Sequence, residues 1–347
     1  MAYTTINKHT DYFNTKLYSG NGSNGNAQTG VGFQPDFTWI KSRNYGSSNV
    51  LTDAVRGVNK HIISNTNAAE VTSTAYIASF NSDGFTLNND GDVNGSSRTY
   101  ASWNWKAGGG QGSSNTDGTI NTTYTSANTT AGFSISKYSG TGSNGTFGHG
   151  LGVIPDIVFW KRTDSNDGAV NWIVGGPALG SETKLVLNTN EAKTTNSAFP
   201  DTTSWTNQVV SVKTYEGQND SNATYVAYAF ASKTGYSKIG TYEGNNSAAN
   251  GPFVYTGLRP SFILIKNMDH TKDWNIWDDK RDIDNPLEKK LAPSTSGVES
   301  TDLALDFLSN GFKLRQNGSN FNDSYTYFYM AFGQSLVGSN NVPCNAR

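Results

Sequence analysis

The sequence predicts an all-β protein built as three tandem antiparallel β-sandwich repeats of about 100 residues each, a common domain size. Two observations predict it. The first is a passage written three times. Tyr18-Ser-Gly-Asn-Gly-Ser-Asn-Gly25 returns as Tyr138-Ser-Gly-Thr-Gly-Ser-Asn-Gly145 and, more loosely, as Tyr242-Glu-Gly-Asn-Asn-Ser247. Each copy is followed by Pro and a short apolar run that stops at Lys: Phe37-Thr-Trp-Ile-Lys41, Ile157-Val-Phe-Trp-Lys161 and Phe262-Ile-Leu-Ile-Lys266. From Tyr18/Tyr242 to Tyr100/Tyr327 the register drifts by only three residues. Such slow drift marks small insertions in surface turns over one shared core. The second observation is composition. Only 16% of residues are charged, 37 are Gly and 12% are aromatic. Gly, Ser, Thr and Asn in place of Lys and Glu suit short strands joined by tight turns, and do not suit helices. The 8 Trp, 17 Tyr and 17 Phe supply enough apolar area for three small cores.

In chain order, residues 1–12 read as a polar N-terminal arm and 13–110 as the first repeat. Residues 111–130, rich in Gly, Ser, Thr and Asn, read as a flexible linker. Residues 131–233 and 234–334 are the second and third repeats, joined without a spacer, and 335–347 form a C-terminal tail. On this division the second and third repeats dock rigidly while the first is hinged. The runs ending at Lys161 and Lys266 are apolar on both alternating faces, which predicts strands buried on both sides. Tyr100-Ala-Ser-Trp-Asn-Trp105, Tyr225-Val-Ala-Tyr-Ala-Phe230 and Tyr327-Phe-Tyr-Met-Ala-Phe332 place Trp105, Phe230 and Phe332 at one equivalent inward position. Asp83-Gly84 and Asn310-Gly311 sit between strand-like residues and predict hairpin turns.

A formal charge of −2 argues against a nucleic-acid or anionic-membrane partner, since both need a basic field. The single cysteine, Cys344, excludes an internal disulfide. No apolar run approaches about 18 residues, so membrane insertion is not expected, and no cationic start precedes an apolar stretch. Synthesis and folding in a cytoplasm are therefore expected.

Several local patterns resemble chemistry. Gly20-Asn-Gly-Ser-Asn-Gly25 and Gly140-Thr-Gly-Ser-Asn-Gly145 satisfy the G-x-G-x-x-G pattern, but a dinucleotide site needs a helix N-terminus next, and a strand follows here. Asp90-Gly-Asp-Val-Asn-Gly95 opens like a calcium loop, yet the closing bidentate Glu is replaced by Ala101. Asp53-Ala-Val-Arg56 lies over Asp278-Asp-Lys-Arg281, while the second repeat offers Val174-Gly-Gly-Pro177. An Asp and an Arg three apart can bridge across a turn. Asp273, Asp278, Asp279, Asp282 and Asp284 crowd near Trp274 and Trp277, as carboxylates beside indoles can in a glycosidase cleft. Carboxylates this dense are more often a solvated loop. His9, His61, His149 and His270 have no zinc spacing, and no Ser sits in a nucleophile elbow. The chain reads as a non-enzyme, with no catalytic set, cofactor or metal site.

Gly148-His-Gly-Leu-Gly-Val-Ile-Pro-Asp156, Gly251-Pro-Phe-Val-Tyr-Thr-Gly-Leu-Arg-Pro-Ser-Phe262, Asp306-Phe-Leu-Ser-Asn-Gly-Phe-Lys-Leu314, the aromatic strand at Tyr327–Phe332 and the ending Val342-Pro-Cys-Asn-Ala-Arg347 carry a resemblance. Together they resemble repeat-containing virion structural proteins of tailed bacteriophages, a family typical of marine phages and cyanophages and described as tail, fibre or decoration-like. The resemblance spans nearly the whole chain. It implies a place on a virus particle, with other virion proteins of capsid or tail as partners, and supplies no binding residues. Chained sandwiches are a usual way to build spacers and adhesins, and a polar, weakly charged surface suits salt water, where charges are screened within a few Å.

Three functions follow as expectations. The first is a non-enzymatic appendage or fibre-type component that binds host surface glycans, its three weak sites gaining avidity on one chain. A homo-oligomer, a trimer on grounds of phage symmetry, would extend that avidity. The second is a capsid decoration protein whose N-terminal arm grips the shell. The third is a glycan depolymerase built on the acidic loop. Candidate ligand contacts are Asn21 and Asn246 in exposed turns, together with Trp274, Trp277, Asp278 and Asp279.

Overall fold

Each apolar run that ends in Lys becomes an inner strand of a sheet. A computed structural model describes residues 3–337 except residue 167. In it Phe37–Ser42 lies between Thr99–Trp105 and Val50–Asp53. Ile157–Arg162 lies between Thr224–Phe230 and Ile173–Gly175, and Leu258–Asn267 between Thr326–Ser335 and Asn275–Asp278. Beyond the second strand of each trio runs the one carrying the repeated tyrosine: Phe13–Ser19, Phe133–Ser139 or Ser237–Glu243. All these pairings are antiparallel, and the four strands named follow the same order in sheets of six, seven and four strands. Lys41, Lys161 and Lys266 sit at one register position, opposite Ala101, Val226 and Phe328.

A smaller sheet faces each large one. Asn26–Thr29, Gly84–Leu87 and Ile77–Asn81 form the first, Gly145–Gly148 and Val209–Val212 the second, and Phe253–Tyr255, Gly311–Leu314 and Leu305–Leu308 the third. The hairpin turns at Asp83-Gly84 and Asn310-Gly311 join strands of these smaller sheets. Between each pair lies a local core: Tyr18, Ile40, Phe85 and Tyr100; then Tyr138, Phe147, Trp160 and Val210; then Tyr242, Trp277, Phe312 and Tyr327.

The other face of every large sheet is buried as well. Phe13, Phe37 and Trp105, Phe133, Phe159 and Phe230, and Phe262, Phe328 and Phe332 belong to one common cluster. Trp105 shows the convergence: its ring lies 4.9 Å from Phe13, 6.2 Å from Phe230 and 5.7 Å from both Phe262 and Phe332. The double-sided apolar pattern of the Lys-terminated runs thus has a cause, a sandwich core on one side and the shared core on the other. Burying one such side chain contributes roughly 1.5–3 kcal/mol. The shared cluster therefore outweighs any surface contact between repeats.

Two expectations fail here. Residues 111–130 are not a flexible linker: Tyr124–Asn128 pairs with Phe133–Ser139 as an added strand, Ser113 bridges to Thr125 and Ile120 to Phe147. An edge strand needs only one buried face, so a Thr/Ser-rich stretch suffices once Ile120 and Ser126 are covered. The first repeat accordingly has no hinge, since its large sheet closes the shared core. The N-terminal arm is docked on the body. The Tyr3 hydroxyl donates to the Gly257 carbonyl at 2.9 Å, and Ile6 lies within the common cluster. Of the expected C-terminal tail, residues 338–347 lie outside the described residues, Cys344 among them.

Candidate functional site

The glycine-rich turns are built identically. In the first, buried Asn94 accepts from the Asn21 backbone N–H at 2.9 Å and donates to the Ser23 carbonyl at 2.8 Å. Asn219 accepts from Thr141 N–H at 2.8 Å and donates to the Ser143 carbonyl, and Asn322 does the same with Asn245 and Ser247. Gly20, Gly140 and Gly244 are needed for this closeness: a Cβ would stand 2.3, 2.1 and 2.0 Å from the carbonyl oxygens of Gly95, Asp220 and Asp323. Under each turn two tyrosines stack, Tyr18 on Tyr100 at 5.1 Å, Tyr138 on Tyr225 at 5.4 Å and Tyr242 on Tyr327 at 5.1 Å. Strand Asn26–Thr29 follows the first turn, so no helix N-terminus is there to hold a pyrophosphate. Asp90, of the calcium-like loop, instead caps a short helix by accepting from Asp92 N–H at 2.7 Å. Asn21 and Asn246 stand exposed at two of the turn tips.

A second threefold pattern runs between the repeats. Lys41 in the first donates to the Ser296 carbonyl of the third at 3.3 Å. Lys161 in the second reaches Asn67 of the first at 3.1 Å, and Lys266 in the third reaches Asn190 of the second at 3.3 Å. All three side chains are fully buried, and burial pushes each ammonium down to about 8. Main-chain bonds repeat the cycle: Glu70 N–H to Thr163, Lys193 N–H to Met268 and Glu299 N–H to Arg43, at 3.0, 2.7 and 2.8 Å. Head-to-tail contacts that return to their start close a ring.

Two members of the acidic constellation of the third repeat, Asp278 and Trp274, belong to this ring, which corrects their reading as ligand contacts. Asp278 is buried, accepts from Arg281 Nε at 2.6 Å and from the indole N–H of Trp103 at 3.0 Å, across a repeat boundary. Trp274 is fully buried and donates to the Val186 carbonyl of the second repeat at 2.9 Å. Trp277 lies in the local core, stacked on Phe321 at 5.9 Å, and Asp279 is also buried. None of these four presents a surface to a sugar. The Asp53/Arg56 pair is built alike: Asp53 accepts from Arg56 Nε at 2.6 Å and from the Tyr228 hydroxyl at 2.6 Å. The structural register puts Leu179, not Pro177, in the place of Arg56 and Met330 in that of Tyr228; both lie in the common cluster, so an apolar contact replaces the ion pair at the remaining boundary.

Sequence reasoning missed the lysine clamps and the cross-boundary partners Trp103 and Tyr228. The available signal was Lys in the same place three times after an apolar run, which reads equally as a strand reaching solvent.

The fold and its contacts define an all-β chain whose three large antiparallel sheets share one core and touch head to tail in a ring. A family model described as a domain of unknown function, DUF7483, matches residues 8–335, and the chain belongs to that family. No curated protein and no solved structure matches it.

Proposed function

We propose that the chain is a structural protein of a tailed-phage-type virion, exposed on the particle and acting by binding without turnover. The observation that carries this is the ring itself. Its three Asn-braced turns are built alike, one on each large sheet, so one chain offers three like ends. Those ends, with Asn21 and Asn246 exposed, are the candidate contacts for host surface glycans. Three weak sites held rigidly multiply avidity without new contacts. The depolymerase reading loses its residues, because Asp278 is bound to Arg281 and Trp103.

Capsid decoration is the second reading. It is favoured by the lack of a long helix or shaft among the described residues, though no arm reaches out, since residues 3–6 are docked on the third repeat and in the shared core. Gold-labelled antibody on intact particles tests both. Label on the particle surface is expected, on tails or fibres for the first reading and on heads for the second. Absence from purified particles refutes the virion role.

A further inference from the structure

One sheet edge in three is already covered by the chain itself. The added strand Tyr124–Asn128 lies along Phe133–Ser139, and beneath it Ser134 and Ser136 are buried. The equivalent strands Phe13–Ser19 and Ser237–Glu243 are the last of their sheets. In the third repeat Lys238, the counterpart of Ser134, is exposed.

The three edges differ in what stands beside the neighbouring turn. A Cβ on Gly150 would meet Ala127 at 3.0 Å and Thr125 at 3.4 Å, both on the added strand. A Cβ on the equivalent Gly30 would meet Lys16 Nζ at 3.7 Å. Gly257, the counterpart of Gly32 and Gly152, lies beside a cleft of about 260 Å³ lined by Tyr3, Ser232, Thr234, Ser237, Lys238 and Tyr255, and a Cβ on it would meet the Tyr3 hydroxyl at 3.1 Å. Tyr255 is 59% exposed and Tyr3 37%.

The main-chain ladder there is half used. Gly244 N–H donates to the Tyr325 carbonyl, which sets the even-numbered residues toward the sheet and Ser237, Ile239, Thr241 and Glu243 outward. Lys233 N–H takes the Ser237 carbonyl at 3.2 Å, and Ile239 N–H donates to Ser232 Oγ at 3.0 Å. The Ile239 carbonyl and both main-chain groups of Thr241 have no partner among the described residues.

We propose that this edge, with the Tyr3–Tyr255 cleft beside it, docks an extended Ser/Thr-rich segment of a second polypeptide by strand addition. The chain's own Tyr-Thr-Ser-Ala-Asn strand shows what such an occupant looks like at the equivalent edge. Main-chain bonds supply affinity and the cleft selects small hydroxyl side chains. Exposed Lys238 guards the edge against indiscriminate pairing and favours a partner with a carboxylate opposite it. In the register of the covered edge that position is Ala127, which faces Ser134.

The test titrates a fluorescent peptide of residues 122–130 into the full chain, alongside the same peptide carrying Ala127→Asp. Saturable binding is expected, tighter for the Asp peptide. It should weaken at least about tenfold in Thr241→Pro, which removes an outward N–H that an edge strand can spare. If Thr241→Pro lowers the melting temperature, Tyr255→Ala, at an exposed side chain, carries the same test. No saturable binding of either peptide, or binding unchanged in both variants, overturns the proposal.

Discussion

Lys161 donates to the Asn67 carbonyl at 3.1 Å and to its own repeat's Val170 carbonyl at 2.8 Å, so one buried ammonium joins the second repeat to the first. No carboxylate takes part in these bonds, and the same holds for Lys41 and Lys266. Burial holds all three down at about 8, against about 10.4 in an unfolded chain. Between those values the unfolded chain binds more protons than the folded one, so stability rises with pH. Burial also holds Tyr18, Tyr138 and Tyr242 well above their ordinary value. Above about pH 10 the unfolded chain therefore loses tyrosine protons that the folded chain keeps, and the sign reverses. Urea denaturation should show stability climbing from pH 8 to about 10 and then falling. A flat or falling profile over that first interval would show that the lysines are not desolvated.

Lys161→Met separates the charge from the bonds. The variant keeps length and apolar volume but leaves the Asn67 and Val170 carbonyls without their donor, at about 1–3 kcal/mol for each that stays buried. In the wild type at pH 10 the neutral amine still donates and no longer carries the cost of a buried charge. The loss on mutation should therefore be larger at pH 10 than at pH 7. An equal loss at both would mean the site is wet.

His61 gives the acid limb. It is buried, its ring stacks on Tyr76 at 3.7 Å, and neither ring nitrogen has a hydrogen-bond partner among the described residues. Burial, with Arg56 nearby, pushes it down to about 4. Between that value and the unfolded value of about 6.5 the unfolded chain binds the extra proton, so stability falls as pH drops through this window. His61→Phe should flatten the decline. An unchanged slope in the variant would assign the acid limb to other groups.

The repeated strands were legible because their signal is local. Phe262-Ile-Leu-Ile-Lys266 carries its double-sided burial in its own residues, and Trp105, Phe230 and Phe332 fall inward as their alternation requires. The ring was not legible, because what covers the outer face of each sheet is a different repeat. Asp278 beside Trp277 has the same local pattern in a solvated loop as in a buried ion pair, and the indole of Trp103 decides between them from 175 residues away. Tyr124–Asn128 was masked in another way: an edge strand buries so little that its composition matches a linker.

Limited proteolysis separates those two readings of residues 111–130. A flexible linker is cut first, releasing the first repeat from the other two. A strand whose partner is Phe133–Ser139 must leave its sheet before a protease can bind it. Trypsin has no site between Lys106 and Lys137, so thermolysin or proteinase K is the useful probe. The chain should stay whole across 120–130 under conditions that nick exposed turns such as that around Ile283, which is 72% exposed. Early release of a fragment ending in that interval would return the segment to a linker.

Trp105→Ala tests whether the three sandwiches unfold as one. The ring of Trp105 touches aromatic side chains of all three repeats, so its truncation opens the shared core and not a single sandwich. Large-to-small truncation of this kind costs about 3–5 kcal/mol. If the shared core is what makes the chain cooperative, calorimetry should show one transition in the wild type and one, at lower temperature, in the variant. A variant in which only one of several transitions shifts would mean that the sandwiches are independent and merely adjacent. Two features argue against that outcome. Phe13 packs on Trp105 within the first repeat and on Phe332 of the third at 5.3 Å, and the lysine clamps cross every boundary in the same direction. Opening one sandwich would expose a face of the other two, and that coupling is what the single transition reports.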